Sequence, residues 1–216
     1  MIRKKNLIFL GGPGAGKGTF SAMLTAEEPL AHISTGDMLR SEIAKNSEMG
    51  RRAAVIMGRG ELVPDEIVAE MVKGRISMPD CENGFILDGF PRTIRQAELL
   101  DGAMQDIAKT LDAVIYFKAD DELLLKRLTA RIACKKCGEI YNRLFAPPKR
   151  ENNCDKCDGE LFQRPDDSLE TAKERLKVFY EMTQPLIDYY KKKNLLITIV
   201  ESEKFRAYAI LKKEIS

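Results

Sequence analysis

The sequence predicts an α/β fold: a parallel sheet flanked by helices, carrying one helical insert and one small β-rich insert. Three observations predict it. Short apolar runs at Leu7-Ile8-Phe9-Leu10, Phe85-Ile86-Leu87, 113–117 and 195–200 read as buried strands. Segments with apolar residues at helical spacing separate them, and that alternation implies a parallel sheet with right-handed crossovers. Between the first apolar run and the first helical segment lies a glycine-rich stretch, residues 11–19.

That stretch reads Gly-Gly-Pro-Gly-Ala-Gly-Lys-Gly-Thr, and Phe20, Met23 and Leu24 follow at helical spacing. Strand, glycine loop and helix in this order form a phosphate-binding loop of the P-loop NTPase type. Glycines let backbone N–H groups wrap an anion, and the helix N-terminus adds partial positive charge. Lys17 can reach the β- and γ-phosphates, and Thr19 is placed to meet a magnesium ion. Gly18, between lysine and hydroxyl, departs from the general pattern.

Residues 32–37 read as a short apolar-then-polar break, followed by polar helical text over 38–59 with Met38, Leu39 and Ile43 on one face. Breaks at 46–50 and 58–60 mark this part as a small helical insert. Pro64-Asp65-Glu66 starts a helix, with proline early and acids in the first turn. Ile67, Val68, Met71, Val72 and Ile76 give it an apolar face, and Met78-Pro79 ends it. After the strand at 85–87, residues 93–109 are helical, 113–117 form a third buried strand, and 120–132 form a helix with Leu123, Leu124, Leu128 and Ile132 in phase. The cysteine-bearing segment 134–163 interrupts the pattern. A long helix follows Asp167, with Leu169, Ala172, Leu176, Phe179, Tyr180, Leu186 and Ile187 inward and a bend at Pro185. A strand at 195–200 and a helix at 203–215 close the chain.

The composition bounds the function. The chain has 216 residues, 44% hydrophobic, with a formal net charge of +2. That balance argues against a chain built for nucleic acid. No apolar run approaches the ~18 residues of a membrane span. Met1-Ile2-Arg3-Lys4-Lys5 is followed by an apolar stretch too short for a signal peptide. The expectation is a soluble cytoplasmic protein.

Four of the five cysteines, Cys134, Cys137, Cys154 and Cys157, are spaced C-x2-C-x16-C-x2-C beside Gly138 and Gly159. Two such knuckles supply four thiolates to a tetrahedral, structural Zn2+. The alternative is a redox dithiol pair. Cys81 reads as a bystander. A strand end in such folds carries function. Asp88 there reads as the acid that meets magnesium, directly or through water, against the alternative of a turn or capping acid. His32, the one histidine, reads as a surface or hydrogen-bonding residue, and no general base is evident. An acceptor that is already an anion needs none. A phosphate monoester, with its second pKa near ~6, is such an acceptor. Charge repulsion is then the obstacle and arginine forks the remedy. Arg40, Arg92, Arg127, Arg131, Arg164 and Arg175 fall where inserts meet core, with Arg127 and Arg131 four apart on one expected helix face. Cations on both sides of the cysteine module suggest a lid. Asp166-Asp167 belongs to that hinge or caps the next helix.

Together the loop, Ser34-Thr35-Gly36-Asp37-Met38-Leu39-Arg40, Asp88-Gly89-Phe90-Pro91-Arg92-Thr93 with Gln96, and residues 164–167 closely resemble adenylate kinase; the cysteine module resembles the long, zinc-containing lid of the bacterial enzymes. The resemblance covers essentially the whole chain. It implies magnesium-dependent transfer of the ATP γ-phosphoryl group to AMP, giving two ADP, by a monomer. It assigns Gly14, Ala15, Gly16, Lys17, Gly18 and Thr19 to the ATP phosphates. Arg131, Ile140 and Tyr141 meet ATP, Arg127 covers its adenine, and Glu203 lies on the adenine side. AMP falls to Thr35, Arg40, Glu61, Leu62, Val63, Gly89, Phe90, Pro91, Arg92 and Gln96, with Arg164 and Arg175 bridging to the transferred group. Lys17, Arg92, Arg131, Arg164 and Arg175 would be catalytic. The core would comprise 1–33, 64–129 and 168–216, the AMP-binding insert 34–63 and the lid 130–167. Phe20 stands where many relatives have glutamine, Ile132 where some lids carry another arginine, and Glu201-Ser202 replaces a glycine-containing turn.

Two other readings compete. One is a nucleoside monophosphate kinase of other donor or acceptor specificity, for instance one using GTP as donor. The other is a zinc-ribbon nucleic-acid-binding protein using Lys135, Lys136, Lys149 and Arg150. Glu139, Glu151, Asp155 and Asp158 in the same module speak against the second.

Overall fold

The computed structural model describes residues 2–201 and 203–216. A five-stranded parallel sheet in the order β2-β3-β1-β4-β8 forms the centre, from β1 (Asn6–Leu10), β2 (Ala31–Ser34), β3 (Phe85–Asp88), β4 (Ala113–Phe117) and β8 (Leu196–Ile199). A second, antiparallel sheet is built from β5 (Arg131–Cys134), flanked by β6 (Ile140–Asn142) and β7 (Leu161–Phe162). The helices are α1 (Lys17–Glu27), α2 (Thr35–Ala44), α3 (Glu48–Gly58), α4 (Asp65–Ile76), α5 (Ile94–Asp106), α6 (Asp121–Thr129), α7 (Leu169–Val178), α8 (Pro185–Lys192) and α9 (Lys204–Ile215).

Alternation along each strand explains the two cores. Ile8, Leu10, Phe85, Leu87 and Val114 pack on one face with Val72 and Ile76 of α4 and Leu100 of α5. Leu7, Phe9, Ile86, Ile115 and Phe117 pack on the other with Leu24 of α1 and Leu211 of α9. Both faces are covered, so the central strands read as continuous apolar runs. Phe20 stacks on Phe117 with ring centroids 4.7 Å apart. Its place in the loop helix is therefore a packing position.

Several expectations are corrected. The break at 32–37 is in fact the edge strand β2, whose ladder to β3 pairs Ala31 with Phe85 and Ser34 with Asp88, running straight into α2. Only one face of β2 is fully buried, at Ala31 and Ile33, so Ala-His-Ile-Ser alternates rather than forming an apolar run. The strand at 113–117 is accordingly the fourth. The helix expected over 120–132 ends at Thr129 because the β-rich insert takes its carbonyls: Asn142 Nδ2 donates to Arg127 O at 2.8 Å, and Arg143 N to Ala130 O at 2.9 Å. Ile132 thus lies in β5, buried in the insert's own small core with Leu161. Arg127 and Arg131 do not share a helix face. The long helix after Asp167 is interrupted by a π turn, Phe179–Thr183, in which Gln184 N donates to Phe179 O at 2.8 Å. Pro185 opens α8 and has no N–H to continue the ladder. Leu169 and Tyr180, expected inward, are exposed, and the Tyr180 hydroxyl bonds Asp121 instead.

Candidate active site

Parallel register brings the functional strand ends together. Asp88 lies opposite Phe9 of β1 on one side and Ser34 of β2 on the other. The glycine loop, Asp88 and Thr35 therefore emerge along one edge of the sheet, where ligands of such sheets bind.

Gly16 caps α1 in the left-handed region with φ of 86°, and Gly14 has φ of 88° with room for no side chain, since a Cβ there would lie 2.6 Å from Leu124 O. The Lys17 Nζ folds back onto the loop, donating to Gly11 O at 2.8 Å and Gly12 O at 3.1 Å. Burial, together with the charges of Arg92, Arg175 and Arg131, lowers its pKa to about 8 against the pull of Asp88. Burial works to raise the Asp88 carboxyl, but His32, Lys17 and Arg92 outweigh it and hold it below the usual carboxylate range. His32 Nε2 stands 3.5 Å from Asp88 Oδ2, so the histidine is a neighbour of the acid rather than a surface residue. A Cβ at Gly18 would stand 3.4 Å from the same Oδ2, and Thr19, the next residue in the chain, is exposed. A carboxylate and a hydroxyl are oxygen donors of the kind that Mg2+ takes.

The arginines meet around this edge. Arg92 is anchored from its own turn, with Nε donating to Gly89 O at 2.8 Å, and Thr183 of the π turn donates to Arg92 O at 2.9 Å. Burial, then the charge of Arg175, brings Arg92 down to about 10. Arg164 is likewise lowered to about 10 by burial and by Arg40 and Arg131. Arg131 forks onto Asp167, Nε at 2.8 Å and Nη2 at 2.5 Å; Arg175 Nη1 donates to Asp166 Oδ2 and Asp167 Oδ1, both at 3.0 Å. Burial opposes the charge on Arg131, and Asp167 restores it. Arg40 pairs with Asp37 at 2.6 Å, and Arg164 stands 3.6 Å from the same acid. Asp166-Asp167 does not cap α7; Ser168 does, accepting from Thr171 N. Asp37 and the double acid are the partners that sequence reasoning undervalued.

Two clefts adjoin here. One, about 520 Å³ including its open mouth, is lined by Lys17, Arg92, Arg175, Leu62, Gly89 and Pro91. The second, about 360 Å³, shares Leu62, Gly89 and Arg92 and is walled by Leu39, Met57, Val63 and Val68, with Thr35, Glu61 and Gln96. Thr35 Oγ1 donates to Gly89 O at 2.9 Å. Phe90 is buried, in a cis peptide bond to Pro91.

The remaining predicted residues lie in the β-rich insert and at α9. Arg127 lies over the Phe145 ring, 5.7 Å from its centroid. Ile140 is exposed, whereas the Tyr141 hydroxyl accepts from Asp155 N at 2.8 Å and reaches Cys154 Sγ at 3.5 Å. The Glu203 carboxylate caps α9, accepting from Phe205 N and Arg206 N. Ser202 of the expected turn lies outside the described residues.

The four cysteine sulfurs lie within 4.8 Å of one another, with Cys134–Cys157 and Cys137–Cys154 at 3.5 Å. Thiolates around Zn2+ at about 2.3 Å stand at comparable mutual distances. The two glycines serve differently: Gly138 takes φ of 76°, while Gly159 leaves space, because a Cβ there would meet Cys134 Sγ at 2.8 Å. The residues fit zinc. Cys81 is separate, buried with its Sγ 3.3 Å from Arg75 O. Lys135 and Arg150, two of the four basic residues named for the nucleic-acid reading, pair with Glu160 and Asp158. No helix among the described residues is long and apolar enough to cross a membrane.

A family model of adenylate kinases matches residues 9–195. Curated relatives named adenylate kinase include one from Archaeoglobus fulgidus, 53% identical over 90% of this chain and 89% of that protein. Another, from Thermotoga maritima, is 53% identical over 88% of this chain and 87% of its own length. A third, from Caldicellulosiruptor saccharolyticus, is 50% identical over 91% and 92% respectively. With the loop, the arginine cluster and the four-cysteine insert in family order, the chain belongs to the adenylate kinase family.

Proposed function

We propose that this chain transfers the γ-phosphoryl group of ATP to AMP, reversibly, giving two ADP. The observation that carries the reading is the convergence of Lys17, Arg92, Arg131, Arg164 and Arg175 between the phosphate loop and the second cleft. Burial first, and then their neighbouring positive charges, lower the proton affinity of Lys17, Arg92, Arg164 and Arg175, so an anionic ligand relieves a repulsion already present. Two polyanionic substrates are what such a place accommodates.

Residues Gly14 to Thr19 cradle the donor phosphates. Arg131, Arg127, Ile140, Tyr141 and Glu203 serve the ATP side. Thr35, Arg40, Glu61, Leu62, Val63, Gly89, Phe90, Pro91, Arg92 and Gln96 form the AMP cleft. Arg164 and Arg175 reach the transferred group, exchanging carboxylate partners for phosphate oxygens. The AMP oxygen attacks phosphorus in line as the ADP oxygen leaves, and the cations hold both ends in place. Asp88 and Thr19 would hold Mg2+, which neutralises phosphate charge when bound. Cys134, Cys137, Cys154 and Cys157 would hold Zn2+ in a structural role. Segments 34–63 and 130–167 act as AMP-binding insert and lid, and lid closure excludes water. The family resemblance supports a monomer working in the cytoplasm.

The test is ADP formation from ATP and magnesium against AMP, GMP, CMP and UMP, with GTP replacing ATP in a second row. Turnover confined to ATP with AMP is expected. Preference for GTP or another monophosphate overturns the specificity. With Lys17→Ala, turnover falls by about 10²–10³, the scale of losing one preorganised charge donor; near-wild-type turnover refutes the role of the loop.

A further inference from the structure

Gln96 is the polar group of the second cleft whose side chain is most firmly held. It is 2% exposed and lines the apolar slot walled by Leu39, Met57 and Val68. Its carboxamide is gripped from two sides. Nε2 donates to Asp65 Oδ1 at 2.8 Å, and Oε1 accepts from Arg92 N at 2.8 Å. Asp65 is itself fixed, because its Oδ2 accepts from Thr93 Oγ1 at 2.9 Å while Thr93 Oγ1 accepts from Gln96 N at 3.0 Å. A carboxylate can only accept and a backbone N–H can only donate. Turning the amide over would set oxygen against carboxylate and NH₂ against N–H. The order of donor and acceptor that Gln96 shows is therefore imposed by the protein, by Asp65 behind the cleft on one side and the Arg92 backbone on the other.

We infer that Asp65 is a positioning residue that sets the acceptor-base selectivity, locking Gln96 in the orientation that pairs with a 6-aminopurine and opposes a 6-oxopurine. The inference rests on the AMP reading of this cleft. One Nε2–H and one Oε1 lone pair remain for a ligand. Adenine offers an acceptor at N1 beside a donor at the 6-amino group, which complements that pair. Hypoxanthine offers N1–H beside O6, the same two positions with their polarity reversed. A freely rotating glutamine would serve both bases by turning over. A locked one serves one of them and leaves two opposed polar pairs with the other.

The probe is IMP, which differs from AMP only at that edge. Nucleoside diphosphate products are separated chromatographically, and kcat/KM is measured with ATP as donor for each acceptor. The wild-type protein is expected to prefer AMP by at least about 100-fold, the scale of two opposed buried polar pairs. In Asp65→Asn, whose amide can accept or donate, the AMP-to-IMP ratio is expected to fall by about tenfold, with IMP gaining in absolute terms. Asp65→Ser, which admits water at the vacated position, gives the same direction and serves if the asparagine variant does not fold. A merely structural role lowers both efficiencies in proportion and leaves the ratio unchanged; that result overturns the inference. A wild-type protein that uses IMP within about tenfold of AMP overturns it without any variant. Absence of AMP turnover in the wild type would remove the AMP reading itself, whereas an unchanged ratio beside good AMP turnover removes only the role of Asp65.

Discussion

Asp167→Asn isolates the contribution of one buried charge. The Asp167 side chain is 0% exposed and takes three bonds, two from Arg131 and one from Arg175, whose own side chains are at most 20% exposed. Breaking a buried pair by removing one partner costs about 3–5 kcal/mol, because the other charge is left uncompensated. The amide oxygen still accepts from Arg131, and Asp166 still faces Arg175, so about 2–3 kcal/mol is expected. For a chain of this size that amounts to a fall in Tm of roughly 5–10 °C. Differential scanning calorimetry measures it. A second readout separates charge from packing. With its counter-charge gone, the arginine cluster binds inorganic pyrophosphate more tightly, and ligand stabilisation grows as affinity rises. Pyrophosphate should therefore raise the Tm of the variant more than that of the wild type. A Tm change under about 2 °C, the size of a surface substitution, would refute the energetic argument. An equal pyrophosphate shift in the two proteins would refute the view that carboxylates hold the arginines in place of phosphate.

Lys17, with its pKa lowered to about 8, predicts a pH effect. A base whose folded pKa lies below its unfolded value costs stability when protonated, so this term opposes folding below about pH 8 and is relieved as pH rises from there toward the unfolded value near 10.5. Activity moves oppositely: kcat/KM for ATP should lose an apparent group near pH 8 on the alkaline side, and that limb should move upward in Lys17→Arg. A flat kcat/KM profile from pH 7 to about 9.5 would contradict it. Cys154→Ser should lose the bound metal, read by atomic absorption, and lower Tm, because the β-rich insert's own core holds little beyond Ile132, Leu161 and the cysteines themselves. Full metal content with unchanged Tm would end the structural-zinc reading.

The strand, glycine loop and helix that open the chain were legible in the sequence. Lys17, Thr19 and the loop glycines are contiguous, and their backbone geometry is local, so spacing suffices to read them. The four cysteines were legible for the same reason, since two knuckles impose a short covalent spacing. Central strands were legible because both their faces are buried, whereas edge strand β2, fully buried on one face only, was not. Tertiary structure decided what depends on distant partners. The end of α6 is set by Asn142 and Arg143 of the insert. Asp167 could have capped a helix on sequence grounds, and only folding brings Arg131 and Arg175 to it. Asp65 and Gln96, thirty-one positions apart, meet because α4 and the start of α5 lie side by side. Sequence encodes contacts by adjacency; charge pairing and amide orientation follow from packing, which no local pattern records.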